Sequence, residues 1–171
     1  MTQRQAENDR VDEFSAAAGA HGVTVSRCSP AEVESAIAER VEEPAVGVPP
    51  AGDELALPES VTTDPTPAEL SAAVTGVTSA SLAVAEYGTL VLETDDLGSE
   101  PVSLFNDLHV VVLDADDIVP DTTAAFEYLG DELREMRGSA VLATGPSATA
   151  DMGSLVEGAH GPKRVEVLVV T

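Results

Sequence analysis

The sequence predicts an α/β domain built on a largely parallel sheet, and three observations carry that prediction. Short Val/Leu/Ile-rich runs of strand length alternate with stretches of helical periodicity, the pattern of helices packed on a parallel sheet. L-H-V-V-V-L at 108–113 is almost continuously apolar, as expected of a strand covered on both faces. A chain of 171 residues that is 43% apolar is long enough to bury a core of its own as one domain.

Each element follows from local signals. Val11, Phe14 and Ala18 recur at i, i+3, i+7, which predicts an amphipathic helix over 2–18, closed near Gly19 and Gly22. V-T-V-S-R-C (23–28) reads as a strand. Ser29-Pro30 is an N-cap followed by proline at the first helical position, so Ala31 to Val41 reads as helix. A-V-G-V (45–48) is a short buried strand stopped by Pro49-Pro50. Residues 49–67 hold five prolines and little periodicity, and read as a loop inside the single domain 1–171 rather than a boundary.

The remainder, 67–171, carries the denser signal. P-A-E-L-S-A-A-V (67–74) is helical in pattern, while A-S-L-A-V-A (80–85) and T-L-V-L-E-T (89–94) read as strands joined by Glu86-Tyr87-Gly88, where the glycine suits a positive φ. That hairpin would make the sheet mixed. An acidic loop (95–101) leads through V-S-L-F (102–105) to the apolar strand. Asp121 or Thr122 can cap a helix to Arg137, with Phe126, Leu129 and Leu133 on one side and arginines near its C-terminal end. A strand at 140–144, the loop G-P-S-A-T-A-D (145–151) and a last strand at 164–170 complete the chain.

Charge narrows the function classes. The chain has 31 Asp+Glu against 8 Lys+Arg, a formal net charge of −23. Nucleic acids and anionic membranes are held by basic groups and would be repelled by this field. The acids are spread, 13 in residues 1–67 and 18 in 68–171, so they form no tail. Dense carboxylate with a single lysine keeps a protein hydrated where salt screens charge, and leads us to expect a salt-accumulating, halophilic cytoplasm, the alternative being an acidic mesophilic protein. The first residues show no apolar core of signal-peptide type, and no run approaches the ~20 residues of a membrane span. Cys28 is the one cysteine; it excludes an internal disulfide and falls short of a cysteine-ligated zinc or iron–sulfur site.

Three constellations are candidates for chemistry. In T-G-P-S-A-T-A-D (144–151), Gly145 frees the backbone, and Ser147 and Thr149 offer hydroxyls beside amides at a candidate helix start, a setting suited to a carboxylate or phosphate. A capped turn with Asp151 on local N–H groups satisfies the same spacing. In E-G-A-H-G-P (157–162), His160 between glycines, followed by Lys163 and Arg164, is a place where positive charge can gather. The same residues also make a plain turn into the last strand, and no HxH or HxxxH spacing supports a metal site. Glu86 beside Gly88 in a sharp turn has the chemistry of a nucleophile or base, although most glutamates are solvated surface groups. His109, inside L-H-V beside Asn106 and Asp107, is either a ligand contact or a satisfied structural residue.

The succession T-S-A-S-L-A-V-A-E-Y-G-T-L-V-L (78–92), L-F-N-D-L-H-V-V-V (104–112), I-V-P (118–120), T-G-P-S-A-T-A-D-M (144–152) and V-E-G-A-H-G-P-K-R-V-E-V-L-V (156–169) resembles the LUD-domain family, over about residues 67–171. The resemblance implies a Rossmann-like three-layer α/β/α fold similar to the sugar-phosphate isomerase and CoA-transferase class. It also implies a part in oxidising L-lactate to pyruvate together with iron–sulfur partner proteins, with no cofactor in this chain. The motif residues it carries onto this sequence are Glu86, Gly88, Thr89, His109, Gly145, Pro146, Ser147, Thr149, Asp151, Gly158, His160, Gly161 and Pro162. Tyr87 stands where the family commonly has threonine, and Gly153 where it often has an acid.

Two functional expectations follow. In one, the chain is an accessory subunit of a lactate-oxidising system and its loops at 86–89, 145–151 and 158–162 hold a small carboxylate through Ser147, Thr149, His160 and backbone amides, with Lys163 or Arg164 adding charge. In the other, it is a stand-alone transferase-like or isomerase-like enzyme using Glu86.

Overall fold

The computed structural model describes residues 3–50, 55–136, 138–151 and 154–171, and the side chains of these except at 3, 131–136, 150, 151 and 154. Helix α1 (Gln3–Ala20) turns at Gly22 (φ +82°) into strand β1 (Thr24–Cys28). Ser29 and Glu32 form a reciprocal capping box, with Pro30 at the first position, over a 3₁₀ turn (Pro30–Glu32) that continues as α2 (Val33–Ala38). Strands β2 (Ala45–Gly47) and β3 (Val61–Thr63) follow, then α3 (Pro67–Ala72), which Thr66 and Glu69 cap in the same reciprocal way. Next come β4 (Thr75–Ser79), β5 (Leu82–Val84), β6 (Thr89–Glu93), α4 (Ser99–Leu104) and β7 (Leu108–Asp114). The chain then runs through β8 (Ile118–Val119), α5 (Thr122–Met136), β9 (Ala140–Thr144), β10 (Ala148–Asp151), β11 (Ser154–Glu157) and β12 (Arg164–Val170).

Six strands form a parallel sheet in the order β1-β12-β7-β4-β2-β3. The antiparallel hairpin β5-β6 lies in a separate four-stranded sheet, β8-β5-β6-β9, so the main sheet is parallel throughout and the mixed pairing is in the second. Alternation along β7 assigns its two faces. Leu108, Val110 and Val112 pack with Val33 and Ile37 of α2, whereas Val111 and Leu113 pack with Val11, Phe14 and Ala18 of α1 and with Leu90 and Leu92 of the second sheet. Helix α5 covers the far side of that second sheet, where Ala125 and Leu129 meet Leu82, Val84 and Val91. The result is the layered α/β arrangement expected from the sequence.

Several local readings need correction. The strand expected at 80–85 is β5, and a further strand, β4, stands before it unanticipated, because Thr75 and Thr78 are buried with their hydroxyls bonded and give it a polar sequence at the centre of the sheet. The loop 49–67 contains β3, and the acidic loop with V-S-L-F contains α4, whose N-terminus Asp95 closes by accepting from the Leu97 and Ser99 amides and the Ser99 hydroxyl. Among the described residues no helix starts after Gly145. Residues 148–151 form one arm of the β10-β11 hairpin. In α5, Phe126 is exposed while Leu129 is buried, and the side chain of Leu133 lies outside the described residues.

The connections leaving β2 and β4 part from each other. The segment after β2 carries Leu55 and Leu57 onto the α2 face of the parallel sheet, whereas the segment after β4 enters the second sheet on the opposite face. Adjacent strands thus send their chains in opposite directions.

Candidate functional site

His109 is the second residue of β7, in register with Gly76 of β4 and Val165 of β12, so its ring projects toward the second sheet near the amino ends of the parallel strands. It is only 3% exposed. Nε2 lies 2.8 Å from the Thr78 hydroxyl, and burial pushes the ring down from 6.5 to about 4, so it is neutral at physiological pH. Nδ1 has no hydrogen-bond partner among the described residues, which leaves it available to a ligand. If Thr78 donates to Nε2, then Nδ1 carries the proton and donates; the other tautomer makes it an acceptor.

Two motif loops close over this ring. The Ser147 amide donates to the Pro162 carbonyl (2.8 Å), the Gly158 amide donates to the Ser147 carbonyl (2.9 Å), and the His160 amide donates to Ser147 Oγ (3.3 Å). A Cβ on Gly161 would lie 3.2 Å from the Ser147 Cβ, so a small residue lets the loops approach closely. Gly145, at φ +76°, turns the chain against His21, where a Cβ would come within 3.0 Å of that residue. Between the loops and the sheet is a cleft of about 250 Å³. Leu90, Leu92, Leu104, Val141, Ala143 and Val165 give it apolar walls; Ser103, His109, Thr144, Ser147 and His160 give it polar ones. Among the described residues no Asp or Glu lines it, in a chain that has 31 of them.

Of the motif residues, the structure brings His109, Gly145, Pro146, Ser147, His160, Gly161 and Pro162 to the cleft. Thr89 stands just behind it, its hydroxyl 2.7 Å from that of Thr144 on the rim. Gly88 plays a packing part, at φ +63° and so close to α1 that a Cβ would lie 2.2 Å from the Ala18 nitrogen. Glu86 is exposed on the same turn, its amide bonded to the Pro120 carbonyl, and does not line the cleft. Lys163 and Arg164 are ion-paired with Asp107 (2.9 Å) and Glu42 (2.8 Å) and also stand outside the wall. Thr149 lies on β10, away from the lining, and the side chain of Asp151 is outside the described residues. Sequence reasoning missed Thr78, whose signal is strand parity: with Gly76 opposite His109, Thr78 falls on the same face of the sheet.

A parallel sheet with a small second sheet clamped to one face, and two glycine-containing loops meeting over a buried neutral histidine, define a Rossmann-like α/β domain with a ligand-sized cleft. The LUD domain matches residues 63–170. Over 158 residues the chain is 34% identical to a lactate utilization protein C of Deinococcus radiodurans, covering 88% of this chain and 74% of that protein. A lactate utilization protein C 1 of Bacillus mycoides is 32% identical over 103 residues, 58% of this chain and 44% of the relative. A crystal structure of a DUF162 family protein from Deinococcus radiodurans superposes over the whole of both chains, with a TM-score of 0.70 at 26% identity. The chain belongs to the LUD-domain family.

Proposed function

We propose that this protein serves lactate utilisation, as an accessory subunit of an iron–sulfur system that oxidises L-lactate to pyruvate, and that the cleft over His109 takes a small carboxylate. The reading is supported by the 34% identity to a lactate utilization protein C across 88% of the chain. The cleft's chemistry agrees. Its described wall carries no carboxylate, so an anion entering it avoids the repulsion found elsewhere on a surface of net charge −23. Ser147 Oγ and His109 Nδ1 are groups able to donate, and Leu90, Leu92 and Val165 offer a surface for a methyl group.

Oxidation of a 2-hydroxy acid to a 2-oxo acid removes two electrons and two protons, and the electrons need an acceptor. With Cys28 as the one cysteine, this chain's donors do not fit a cysteine-ligated cluster, and among the described residues no group of three or more His, Cys, Asp or Glu side chains is placed to hold a metal ion. The clusters in this proposal therefore belong to a partner protein, and the role of this chain is to hold or present the carboxylate.

Thermal unfolding in 1 M KCl with L-lactate or pyruvate tests the cleft, and co-purification with a cysteine-rich partner tests the assembly. At twenty times Kd, mass action adds about 1.8 kcal/mol to the native state. A rise in midpoint with either acid that Ser147→Ala reduces is the expected result. No rise with either acid, together with a chain that stays monomeric beside the partner, refutes the proposal.

A further inference from the structure

Thr78 is 1% exposed and stands behind the cleft without lining it. Its hydroxyl has one polar neighbour among the described residues, His109 Nε2 at 2.8 Å. A hydroxyl brings one hydrogen and two lone pairs. Were Nε2 to carry the ring proton and donate it, the Thr78 hydrogen would be buried with no acceptor. That is the costlier defect, because a buried oxygen tolerates an unused lone pair better than a buried donor tolerates an unused hydrogen. Donation from Thr78 to Nε2 satisfies both atoms. A ring that accepts at Nε2 and is neutral at physiological pH holds its proton at Nδ1.

Nδ1 opens on the ligand space. The described side-chain nitrogens and oxygens shut off from solvent without a partner are Arg10 Nε, Ser79 Oγ, Glu93 Oε1 and Asn106 Oδ1. Unpartnered Nδ1 is not one of them and so keeps an accessible surface, and the space that His109 lines is the cleft. Ser147 Oγ accepts from the His160 amide and keeps its own hydrogen free, whereas the Ser103 hydroxyl is engaged with the Glu100 carbonyl. No Lys or Arg is among the described lining residues. The polar side of the cleft therefore relies on uncharged donors, the Nδ1 hydrogen and the Ser147 hydroxyl.

We propose that Thr78 is a positioning residue that fixes the His109 proton on Nδ1, and that the cleft thereby selects a ligand offering acceptor oxygens over one offering N–H donors. The inference rests on the carboxylate reading of the same cleft and narrows it. The carboxylate or carbonyl oxygens of a 2-hydroxy or 2-oxo acid meet Nδ1–H and Ser147 O–H as acceptors, while an amine would set donors against donors.

The test is a long-range proton–nitrogen NMR correlation of the whole chain carrying ¹⁵N-labelled histidine, at neutral pH in buffered KCl. It is recorded on the free chain and during titration with L-lactate, pyruvate, methyl pyruvate and propylammonium, and His109 is assigned by the signals that His109→Gln removes. The expected result is a protonated Nδ1 and a bare Nε2 in the free chain, and the same in Thr78→Ser. In Thr78→Val the proton moves wholly or partly to Nε2 and pyruvate binds about tenfold more weakly, while Thr78→Ser keeps the affinity. A protonated Nε2 in the free wild type overturns the proposal, as does a Thr78→Val chain with unchanged tautomer or unchanged affinity, or propylammonium bound as tightly as the acids. The wild-type tautomer is read without any variant, so a Thr78→Val chain that fails to fold leaves the proposal exposed to refutation. Acids that bind beside a ring protonated at Nε2 uphold the carboxylate reading and refute this one. Methyl pyruvate bound at Nδ1–H where neither acid binds does the reverse, and no response of His109 to any of the three oxygen ligands refutes both.

Discussion

Replacing His109 by glutamine removes the ring that burial keeps neutral, and with it a pH dependence whose size follows from the structure. The folded ring titrates at about 4 instead of 6.5. Above pH 6.5 it is neutral in both the folded and unfolded chains and contributes no pH slope. Below that, the unfolded chain binds a proton that the folded chain excludes, so stability falls as the pH drops, by 1.36 kcal/mol per pH unit, and levels off once the folded ring also protonates near 4. The window closes after a loss of about 3 kcal/mol, of which about 2.5 kcal/mol has been lost by pH 4.5. Urea denaturation of wild type and His109→Gln at pH 7.5, 6.5, 5.5 and 4.5 in molar KCl measures it. The variant's loss of the Thr78 contact offsets its stability at every pH, and the carboxylates titrate in both proteins, so the difference in slope isolates the ring. Parallel curves, or a His109 ring resonance that titrates near 6.5, would refute the reasoning.

Three further outcomes are expected. Gly88→Ala places a Cβ 2.2 Å from the Ala18 nitrogen at φ +63°, and should cost at least about 2 kcal/mol in denaturation, since left-handed strain and overpacking add; a loss below about 1 kcal/mol contradicts the close approach of the turn to α1. Lys163→Met breaks a pair with Asp107 whose side chains are 50% and 56% exposed, so the unfolding midpoint should move by less than about 1 kcal/mol equivalent, and a larger loss would show that the pair organises the loop over Ser147. Raising KCl from 0.1 to 1 M shortens the screening length from about 10 to 3 Å and should raise the thermal midpoint of a chain with net charge −23; a fall with salt contradicts self-repulsion as a destabilising force.

The elements legible in the sequence are those whose burial is apolar and periodic. Strands β7 and β12 read as continuous runs because helices cover one face and the second sheet the other, and α1 reads from Val11, Phe14 and Ala18, all fully buried. The hidden part is polar yet central. Thr75 exchanges hydrogen bonds with the Glu42 backbone, its Oγ1 accepting from the amide at 2.9 Å and donating to the carbonyl at 2.8 Å, while Thr78 pairs with His109, so β4 carries two buried hydroxyls where propensity expects Val or Ile. Short elements escaped for another reason. In β3 only Val61 is buried, and α4 has six residues with no repeat long enough to show a period. The hairpin β10-β11 keeps Leu155 70% exposed and lacks the alternation that marks a half-buried strand.

Clefts in this fold differ in legibility for a reason rooted in how each is assembled. The one over His109 is closed by two loops, each of which needs glycine at a particular contact, Gly145 against His21 and Gly161 against Ser147, and such needs leave local spacing in the sequence. A second cleft, of about 570 Å³ at the carboxyl ends of the parallel strands, draws its lining from several separate segments, and no glycine is among its described lining residues, so no local pattern records it and only the order of the strands does. Composition then separates the two. In a chain of net charge −23, the described wall of the His109 cleft is free of carboxylate while Glu93, Asp95, Asp114 and Asp117 line the second, so the two differ most in the repulsion they offer an anion.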